Sequence, residues 1–184
     1  MDTYEAILSR RSIPKTGEGV PSKSEIERLL QAAIAAPNHH LTEPWRFIVL
    51  AGDALKDLGE AFAQHAQRTG GRPELARDLP LRAPAIITVV QKPFTPHGHV
   101  PESDDDYAIG AAIQNILLAA HNDGLVAMIR TGAQVSASEV SDHLGLNEGE
   151  RVAGFIYVGY PSPGYTRKPP RKTPVEQLTE WRGM

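Results

Sequence analysis

Two groups of cationic side chains stand near the two ends of this sequence, and they are the residues best suited to binding an anion. Arg10, Arg11 and Ser12 form an R-R-S tripeptide close to the N-terminus, and a proline-rich stretch near the other end carries Lys168 and Arg171. An arginine can bind a phosphate through two parallel hydrogen bonds. Each group is therefore a candidate phosphate site, although spacing alone favours the interpretation that both are solvated surface charge.

Adjacent and near-adjacent histidines form a second candidate group, of the type that binds metals. His39 precedes His40, and His97 lies two residues before His99. Neighbouring side chains diverge in most backbones, and neither pair has a third ligand at a spacing such as H-E-x-x-H. The sequence therefore predicts no metal site. Another histidine, His121, is most simply interpreted as a hydrogen-bonded residue near a helix end.

Common nucleotide-binding and nucleophile motifs do not occur in the sequence. It contains neither G-x-G-x-x-G nor G-x-x-x-x-G-K-[ST], the glycine-rich loops that hold phosphates at a helix N-terminus. It contains no G-x-S-x-G, and its lack of cysteine excludes disulfides, thiolate metal sites and a cysteine nucleophile. Any bound phosphate would therefore have to meet side chains.

Length, charge and hydropathy limit the class of protein. The 184 residues fit one domain spanning residues 1–184, and the net charge of -3 gives no reason to expect nucleic acid or an acidic membrane as a partner. The N-terminus lacks a basic region followed by an apolar core, and no apolar run approaches the roughly 18 residues of a membrane span. A soluble cytoplasmic protein is the resulting expectation.

Periodic apolar residues and capping residues predict the elements that position these groups. The longest predicted helix, Asp105 to Asp123, is apolar nearly all round and ends at Gly124, so it should lie in the centre of the core or in a subunit interface. Helices alternate with buried strands, which by itself favours a parallel, doubly wound sheet. The other predicted elements are a helix capped by Asp2, helices Ser22–Ile34, Asp53–Ala66 and Ser136–Leu144, and strands Phe47–Leu50, Ala85–Val90, Leu125–Ile129 and Val152–Val158.

The connection A-P-N-H-H-L-T-E-P-W-R-F-I-V-L, from Ala36 to Leu50, has an unusual composition for a loop. It combines two prolines, two adjacent histidines and Trp45, which is one of two tryptophans in the chain. A loop of this length needs turn formers and polar groups, whereas a large aromatic side chain has to pack against something. The segment is therefore expected to contact a binding partner.

Five motifs that occur in series resemble the FMN-dependent nitroreductase family, especially its short members. They are R-R-S (Arg10–Ser12), A-P-N-H-H-L-T-E-P-W-R-F (Ala36–Phe47), G-A-A-I-Q-N-I-L-L-A-A-H-N-D-G-L (Gly110–Leu125), V-G-Y-P and K-P-P-R-K-T-P-V-E-Q-L. Each motif is weak alone, but together they follow the whole chain in the family's order. The resemblance implies an α+β fold with a mixed, mostly antiparallel sheet flanked by helices, and this expectation replaces the parallel sheet.

The resemblance also implies a homodimer with two FMN molecules at its interface and a C-terminal arm that reaches the partner subunit. The family's R-R-S tripeptide contacts the FMN phosphate and ribityl chain, and a basic residue near the C-terminus, here Arg171, closes on the same phosphate. Asn38 and His39 correspond to the segment that reaches the flavin from the partner subunit. Contacts beside the isoalloxazine map to Ile129, Arg130 and Thr131, and nicotinamide contacts map to Ala119, Ala120, His121, Asn122, Asp123 and Gly124.

The activity implied by the resemblance is that of an FMN-dependent NAD(P)H oxidoreductase. NADH or NADPH would deliver hydride to flavin N5 in a ping-pong cycle, and a small electron acceptor such as a nitroaromatic or a quinone would take the reducing equivalents. The flavin carries this chemistry, so no side chain is assigned as catalytic. Two alternatives remain: a different flavin reaction, such as flavin cleavage or dehalogenation, and a non-catalytic FMN-binding or sensing dimer.

Two departures from the family pattern affect the expected site. Many members have a second basic residue two positions after the serine, where this chain has Pro14; the charge that stabilises reduced flavin would then come from Lys15 or be weaker. The family's N-x-Q-P-W reads L-T-E-P-W here, so that Glu43 places a carboxylate where the family has an amide. Substrate preference is the property that this second change puts in doubt.

Overall fold

The helices and strands follow the predicted order along the chain. The computed structural model of the protein describes residues 1–96, 101–166 and 173–183. One short helix, α4, is additional to the predicted elements. The elements are α1 (Thr3–Ser9), α2 (Lys23–Ile34), β1 (Trp45–Ala51), α3 (Asp53–Arg68), α4 (Pro73–Arg77), β2 (Ala85–Gln91), α5 (Ser103–Asn122), β3 (Val126–Arg130), α6 (Ser138–His143) and β4 (Arg151–Gly159).

The four strands form one sheet in the order β1-β2-β4-β3, and each neighbouring pair is antiparallel. The α+β prediction is therefore confirmed, and the parallel sheet that element alternation alone favours is wrong. β2 is buried at every position because apolar cores lie on both faces of the sheet. A strand that is buried on both faces has the same continuous apolar sequence whichever way it runs. Its sequence pattern therefore does not encode its direction.

Each face of the sheet has its own apolar core. α2 and α5 cover one face with residues such as Leu29 and Ile116, and α3 and α6 cover the other, where the rings of Phe62 and Phe155 meet edge to face at 5.4 Å. Trp45, which the sequence required to pack against something, lies in the first core with 5% of its surface exposed. Its ring therefore anchors the start of β1 directly after the histidine-containing loop.

The C-terminus of α5 is closed at Gly124, as the sequence predicts. The Gly124 amide donates to the carbonyl of His121 (3.3 Å), and the Leu125 amide donates to the carbonyl of Ala120 (2.8 Å). This pair of bonds is the Schellman motif, which needs a left-handed residue at its turn. Gly124 supplies it with φ of +81°. The turn leads the chain directly from α5 into β3.

One stripe of α5 is exposed to solvent in the single chain. The sequence predicts a helix that is covered on most sides, either in the core or in a subunit interface. Tyr107 is 73% exposed, and Gly110 and Gln114 on the same stripe are also exposed. Apart from its chain neighbours and the backbone of its own helix, a Cβ added at Gly110 would have no heavy atom within 4 Å.

In the part of the chain that the structure describes, no helix has both the length and the apolar character needed to cross a membrane.

A buried carboxylate, Glu150, ties the start of β4 to β1. It accepts two hydrogen bonds from Arg46 (2.6 and 2.7 Å) and one each from the amide and side chain of Asn147 (2.7 and 3.1 Å). The Glu150 side chain is 5% exposed. The Arg46 bonds, helped by Asn147, lower the pKa of Glu150 from 4.5 to about 2. Because the folded-state pKa lies below the unfolded value, the stabilisation is present above about pH 4.5 and is lost as the pH falls toward about 2.

Glu150→Gln should lower the free energy of unfolding by about 2 kcal/mol at neutral pH, since it leaves Arg46 without a charged acceptor in a largely buried site. The difference between the variant and the unmodified protein should shrink as the pH falls through the window given above. Urea unfolding followed by circular dichroism measures both effects. Glu60→Gln is the matched control, because Glu60 also accepts two bonds from an arginine but is 55% exposed, and it should cost clearly less stability than Glu150→Gln. Equal losses in the two variants would contradict the role assigned to burial.

Candidate functional site

The short helix α1 and the edge of β3 place the R-R-S tripeptide. Asp2 caps the N-terminus of α1 through its side chain, and the helix ends at Ser9, so that Arg10 continues in an extended conformation. The chain then follows the outer edge of β3, where Ser12 forms a parallel bridge with Ala127. The tripeptide is therefore held between a helix end and a strand of the sheet.

Arg10 lines a small cavity, and one of its nitrogens has no hydrogen-bond partner among the described residues. The cavity measures about 140 Å³, and the unpartnered atom is the buried Nη1. Burial, and then the neighbouring Arg11, lower the pKa of Arg10. A desolvated cation with an unsatisfied donor is costly unless an anion joins it, so Arg10 fits a phosphate group. The cavity is also lined by Ile13, His121, Gly124, Leu125, Pro161 and Tyr165.

Arg11 is engaged differently from Arg10. Its Nη1 donates to the carbonyl of Leu8 (2.9 Å) and also to the carbonyl of Arg10. A cation in this position satisfies the last carbonyls of a helix and interacts favourably with its dipole. Arg11 therefore caps the C-terminus of α1 in addition to lining the cavity. The two arginines of the tripeptide are not equivalent, and a direct phosphate contact from Arg11 stays a prediction.

Arg130, the last residue of β3, lies further along the same sheet edge. Its Nη2 donates to the carbonyl of Pro14 (3.2 Å), and its Cζ lies 5.0 Å from the ring centroid of Tyr157. Its Nε is buried without an acceptor in the part of the chain that the structure describes. Strand residues advance about 3.3 Å each, which puts Arg130 about 10 Å along the edge from Ala127. Arg10 and Arg130 therefore each have one buried guanidinium nitrogen without a partner among the described residues.

Ile129 and Thr131 were predicted as cofactor contacts on either side of Arg130. Ile129 packs against the first core, and Thr131 is exposed. Gly154 on β4 makes room for Ile129, since an added Cβ would lie 2.9 Å from the Ile129 Cδ1. Of the three predicted residues, only Arg130 combines partial burial with an unsatisfied polar atom.

His121 is a buried, hydrogen-bonded residue near the end of α5, as the simplest interpretation of the sequence predicts. Its Nε2 lies 2.7 Å from the Oγ of Ser9, and the Ser9 hydroxyl donates to the carbonyl of Glu5 (2.6 Å). A hydroxyl has one proton, so the His121 Nε2 must be the donor in its contact with Ser9. This bond joins α5 to the end of α1 directly before Arg10.

The six residues predicted for nicotinamide contact do not share one surface. Ala120 is fully buried and His121 is 9% exposed, whereas Gly124 lies at the surface. Asp123 is paired with Arg28 at 3.0 Å. The structure brings His121 and Gly124 to the Arg10 cavity and leaves Ala119 partly buried and Asn122 exposed. A nicotinamide contact in this turn stays a prediction.

The loop that contains the adjacent histidines has an irregular backbone held by tertiary bonds. His40, Leu41 and Glu43 have φ of 53°, 55° and 43°, in the left-handed region that non-glycine residues seldom adopt. Asn38 Oδ1 accepts a bond from the Glu43 amide (2.9 Å), and Lys92 donates to the Glu43 carbonyl (3.0 Å). Strain of this kind persists only where surrounding contacts maintain it, and it concentrates at ligand sites.

His39 and Glu43, two residues of this loop that the sequence singles out, have exposed side chains. The ring of His39 meets that of His40 edge to face, with 4.3 Å between the ring centroids. The amide of Asn38 is occupied within the loop, because its Nδ2 also donates to the carbonyl of Ala36 (3.3 Å). His39 therefore has the more accessible side chain of the two predicted cofactor contacts.

This loop and the R-R-S tripeptide are attached to opposite ends of α5. Thr42 Oγ1 donates to Asp105 Oδ1 (3.2 Å) near the start of the helix, whereas His121 contacts Ser9 near its end. Residues 105 and 121 are separated by about 24 Å along a helix axis. Arg171 lies outside the described residues. Among the described residues, a single chain therefore does not bring Arg10 and Ser12 together with the loop that is predicted to reach the flavin of a partner subunit.

The sequence model of the Nitroreductase family matches residues 7–160, which include the tripeptide, the histidine-containing loop and all of β3. The chain belongs to the nitroreductase family. The resemblance inferred from the five motifs is confirmed by this match.

Two bacterial relatives extend over nearly the whole of this nitroreductase-family chain. YdjA of Escherichia coli K12 is 32% identical over 164 residues, which are 88% of this chain and 89% of the relative. YfhC of Bacillus subtilis strain 168 is 33% identical over 187 residues, which are 96% of this chain and 92% of the relative. Both relatives carry the name of NAD(P)H nitroreductases.

Solved structures of the nitroreductase family share the fold. A nitroreductase-like protein of Bacillus cereus superposes with a TM-score of 0.86 at 25% identity, covering 100% of this chain and 97% of that one. A nitroreductase of Desulfovibrio desulfuricans, solved in complex with FMN, gives 0.76 at 25% identity and covers 98% and 96%. The antiparallel sheet and its flanking helices are therefore features that the chain shares with its family.

Among the residues of the Arg10 cavity region that sequence reasoning missed in this nitroreductase-family chain, two have hydroxyl side chains. Ser9 contacts His121, and Tyr165 lines the cavity. Ser9 had a usable signal, because it is a hydroxyl residue directly before R-R-S at a predicted helix end. Tyr165 had none, since it lies in a proline-rich stretch without apolar periodicity.

Proposed function

We propose that this protein is an FMN-dependent NAD(P)H oxidoreductase that reduces an electron-poor small molecule such as a nitroaromatic or a quinone. The proposal rests on the buried guanidinium nitrogens of Arg10 and Arg130 that have no hydrogen-bond partner among the described residues. Buried polar groups normally have partners, so an elongated ligand with acceptor atoms at both ends would complete both. FMN has a phosphate at one end and a ring system with acceptor atoms at the other. The FMN complex from D. desulfuricans and the names of YdjA and YfhC support this choice.

The residues at the β3 edge would hold such a cofactor in one orientation. Arg10 and Ser12, with Arg171 as a predicted further contact, would bind the phosphate end. Arg130 and its neighbours Ile129 and Thr131 would border the ring. When bound, FMN supplies a ring that takes hydride from NADH or NADPH and passes reducing equivalents to an acceptor. The protein's own contribution is to bind, orient and electrostatically bias the cofactor.

A second copy of the chain would complete the site. The histidine-containing loop and Arg10 lie about 24 Å apart along α5, which is too far for both to contact one end of a flavin in one protomer. Two α5 helices packed antiparallel would bring the loop of one protomer to Arg10 of the other. The exposed stripe at Tyr107 and Gly110 suits this contact. The helix α1, directly before Arg10, also exposes apolar side chains, Tyr4 (78%) and Leu8 (66%). Exposed apolar surface of this kind is typical of an interface.

The absorbance spectrum of the purified protein tests the proposed function. We expect a yellow protein that binds FMN stoichiometrically, is bleached by NADH or NADPH without oxygen, and recovers its colour on addition of a quinone or nitroaromatic. A protein that remains colourless once FMN has been added and the unbound FMN has been removed would contradict the proposal.

Two other outcomes would redirect the assignment to the alternatives. Bound FMN that neither nicotinamide reduces would favour a different flavin reaction; the iodotyrosine deiodinase of Hydra vulgaris is 28% identical over 192 residues. FMN that is reduced but returns electrons to no added acceptor would favour a sensing or binding role.

A further inference from the structure

The guanidinium of Arg130 lies beside Pro14, although the two residues are far apart in the sequence. Its Nη2 donates to the Pro14 carbonyl at 3.2 Å. Proline has no amide proton and no charge, so the N-terminal segment can only accept hydrogen bonds at this point. The last residue of β3 therefore brings a cation to a position where the N-terminal segment has none.

The charge of Arg130 is not neutralised by an acidic side chain of residues 1–96, 101–166 or 173–183, since none of their ion pairs includes it. Its aromatic neighbour is the ring of Tyr157. Burial raises the pKa of Tyr157 to about 12, so its hydroxyl stays neutral at neutral pH. The guanidinium is partly removed from water, because its Nε is buried and has no acceptor among the residues that the structure describes. Such a cation acts more strongly on a nearby charge than a solvated one.

Lys15, the other cation next to Pro14, lies in different surroundings. It is exposed and lines a wide groove of about 850 Å³ together with Glu18 and Arg82. Neither Arg130 nor the residues on either side of it line that groove. Directly after Lys15 the chain is bonded to two other segments, from the Thr16 amide to the Arg82 carbonyl (3.3 Å) and from the Gly17 amide to the carbonyl of residue 160 (2.8 Å).

We infer that Arg130, and not Lys15, is the residue that raises the reduction potential of the bound flavin. This inference rests on the proposed FMN site. Hydride transfer delivers two electrons and one proton from NAD(P)H, which leaves as NAD(P)⁺, so the flavin ring gains one negative charge unless a second proton follows. A cation beside the ring stabilises that charge and favours the reduced form. The sequence predicts that this charge comes from Lys15 or is weaker, whereas the inference assigns it to the residue at the end of β3.

The reduction potential of bound FMN, measured by dye-coupled spectrophotometric titration at saturating FMN, tests the inference. Arg130→Gln should lower the equilibrium constant for flavin reduction at least about tenfold, which corresponds to about 30 mV for a two-electron couple. Arg130→Lys keeps the charge and should retain most of the potential. Lys15→Gln removes the neighbouring exposed charge and should leave the potential unchanged.

Three results would overturn the inference while leaving the proposed function intact. They are an unchanged potential in Arg130→Gln, an equal loss in Arg130→Gln and Arg130→Lys, and a lowered potential in Lys15→Gln. Arg130→Met, which has a neutral side chain able to pack on Tyr157, replaces Arg130→Gln if that variant does not retain FMN. Failure of the unmodified protein to bind FMN would instead overturn the proposed function, so the two failures are distinguishable.

Discussion

Arg10→Met should weaken FMN binding at least about 100-fold, because it removes the cation that is best placed to bind the phosphate. The same change should leave the free energy of unfolding of the FMN-free protein unchanged or raise it by about 1 kcal/mol. Burial and the neighbouring Arg11 lower the pKa of Arg10, and its Nη1 is buried without a partner among the described residues. Without a ligand, the charge at this position therefore opposes folding.

These opposite effects separate a binding residue from a structural one. FMN titration followed by quenching of flavin fluorescence gives the affinity, and urea unfolding without FMN gives the stability. Arg72→Met is the matched control, since Arg72 is an exposed arginine before α4 and should show neither effect. An Arg10→Met protein that unfolds more easily and still binds FMN with unchanged affinity would assign Arg10 a purely structural role.

The helices could be predicted because their signals are local. Ser22 and Glu25 form the capping box that opens α2, and Gly124 forms the turn that closes α5. Both depend on residues within one helical turn of each other, and so does the apolar periodicity between them. The direction of the strands is not local in this sense. It depends on which pairs meet in the sheet, and a fully buried strand such as β2 gives no sequence signal for it.

The sequence predicted candidate residues of the site but not their geometry. The family motifs pointed to Arg10, Ser12 and Arg130, but the contact between Arg130 and Pro14 joins segments that no local pattern relates. The left-handed backbone of the histidine-containing loop could not be predicted either. It occurs at His40, whereas the usual sequence signal for this conformation is a glycine. Side-chain bonds from distant segments impose that backbone, so it could be known only after the fold.

Gly110→Leu should convert the proposed dimer to a monomer and, with that, reduce FMN binding at least about 100-fold. Within one protomer the substitution is harmless, since a Cβ at Gly110 meets no heavy atom within 4 Å and replacing glycine inside a helix gains up to about 1 kcal/mol. Across an α5–α5 contact, the leucine side chain would occupy the space that the partner helix needs. Any loss of FMN binding must then arise from the second copy.

Sedimentation velocity and FMN titration of the same samples give both quantities. Gln64→Leu is the matched control, because it adds a leucine to an exposed position in the middle of α3, outside the proposed interface. That variant should stay dimeric and bind FMN normally. A Gly110→Leu protein that remains dimeric with full FMN affinity would show that this stripe of α5 is not the interface.

A monomeric Gly110→Leu protein with unchanged FMN affinity would be equally informative, because it would show that one protomer holds a complete site. The structure argues against that outcome. The loop with His39 is tied to the start of α5 through Thr42 and Asp105, and the Arg10 segment is tied to its end through His121. A helix separates its ends rigidly, so no loop movement within one protomer closes a gap of about 24 Å. Loss of the proposed dimer should therefore remove the predicted contacts of the partner's loop and leave only those of the Arg10 segment.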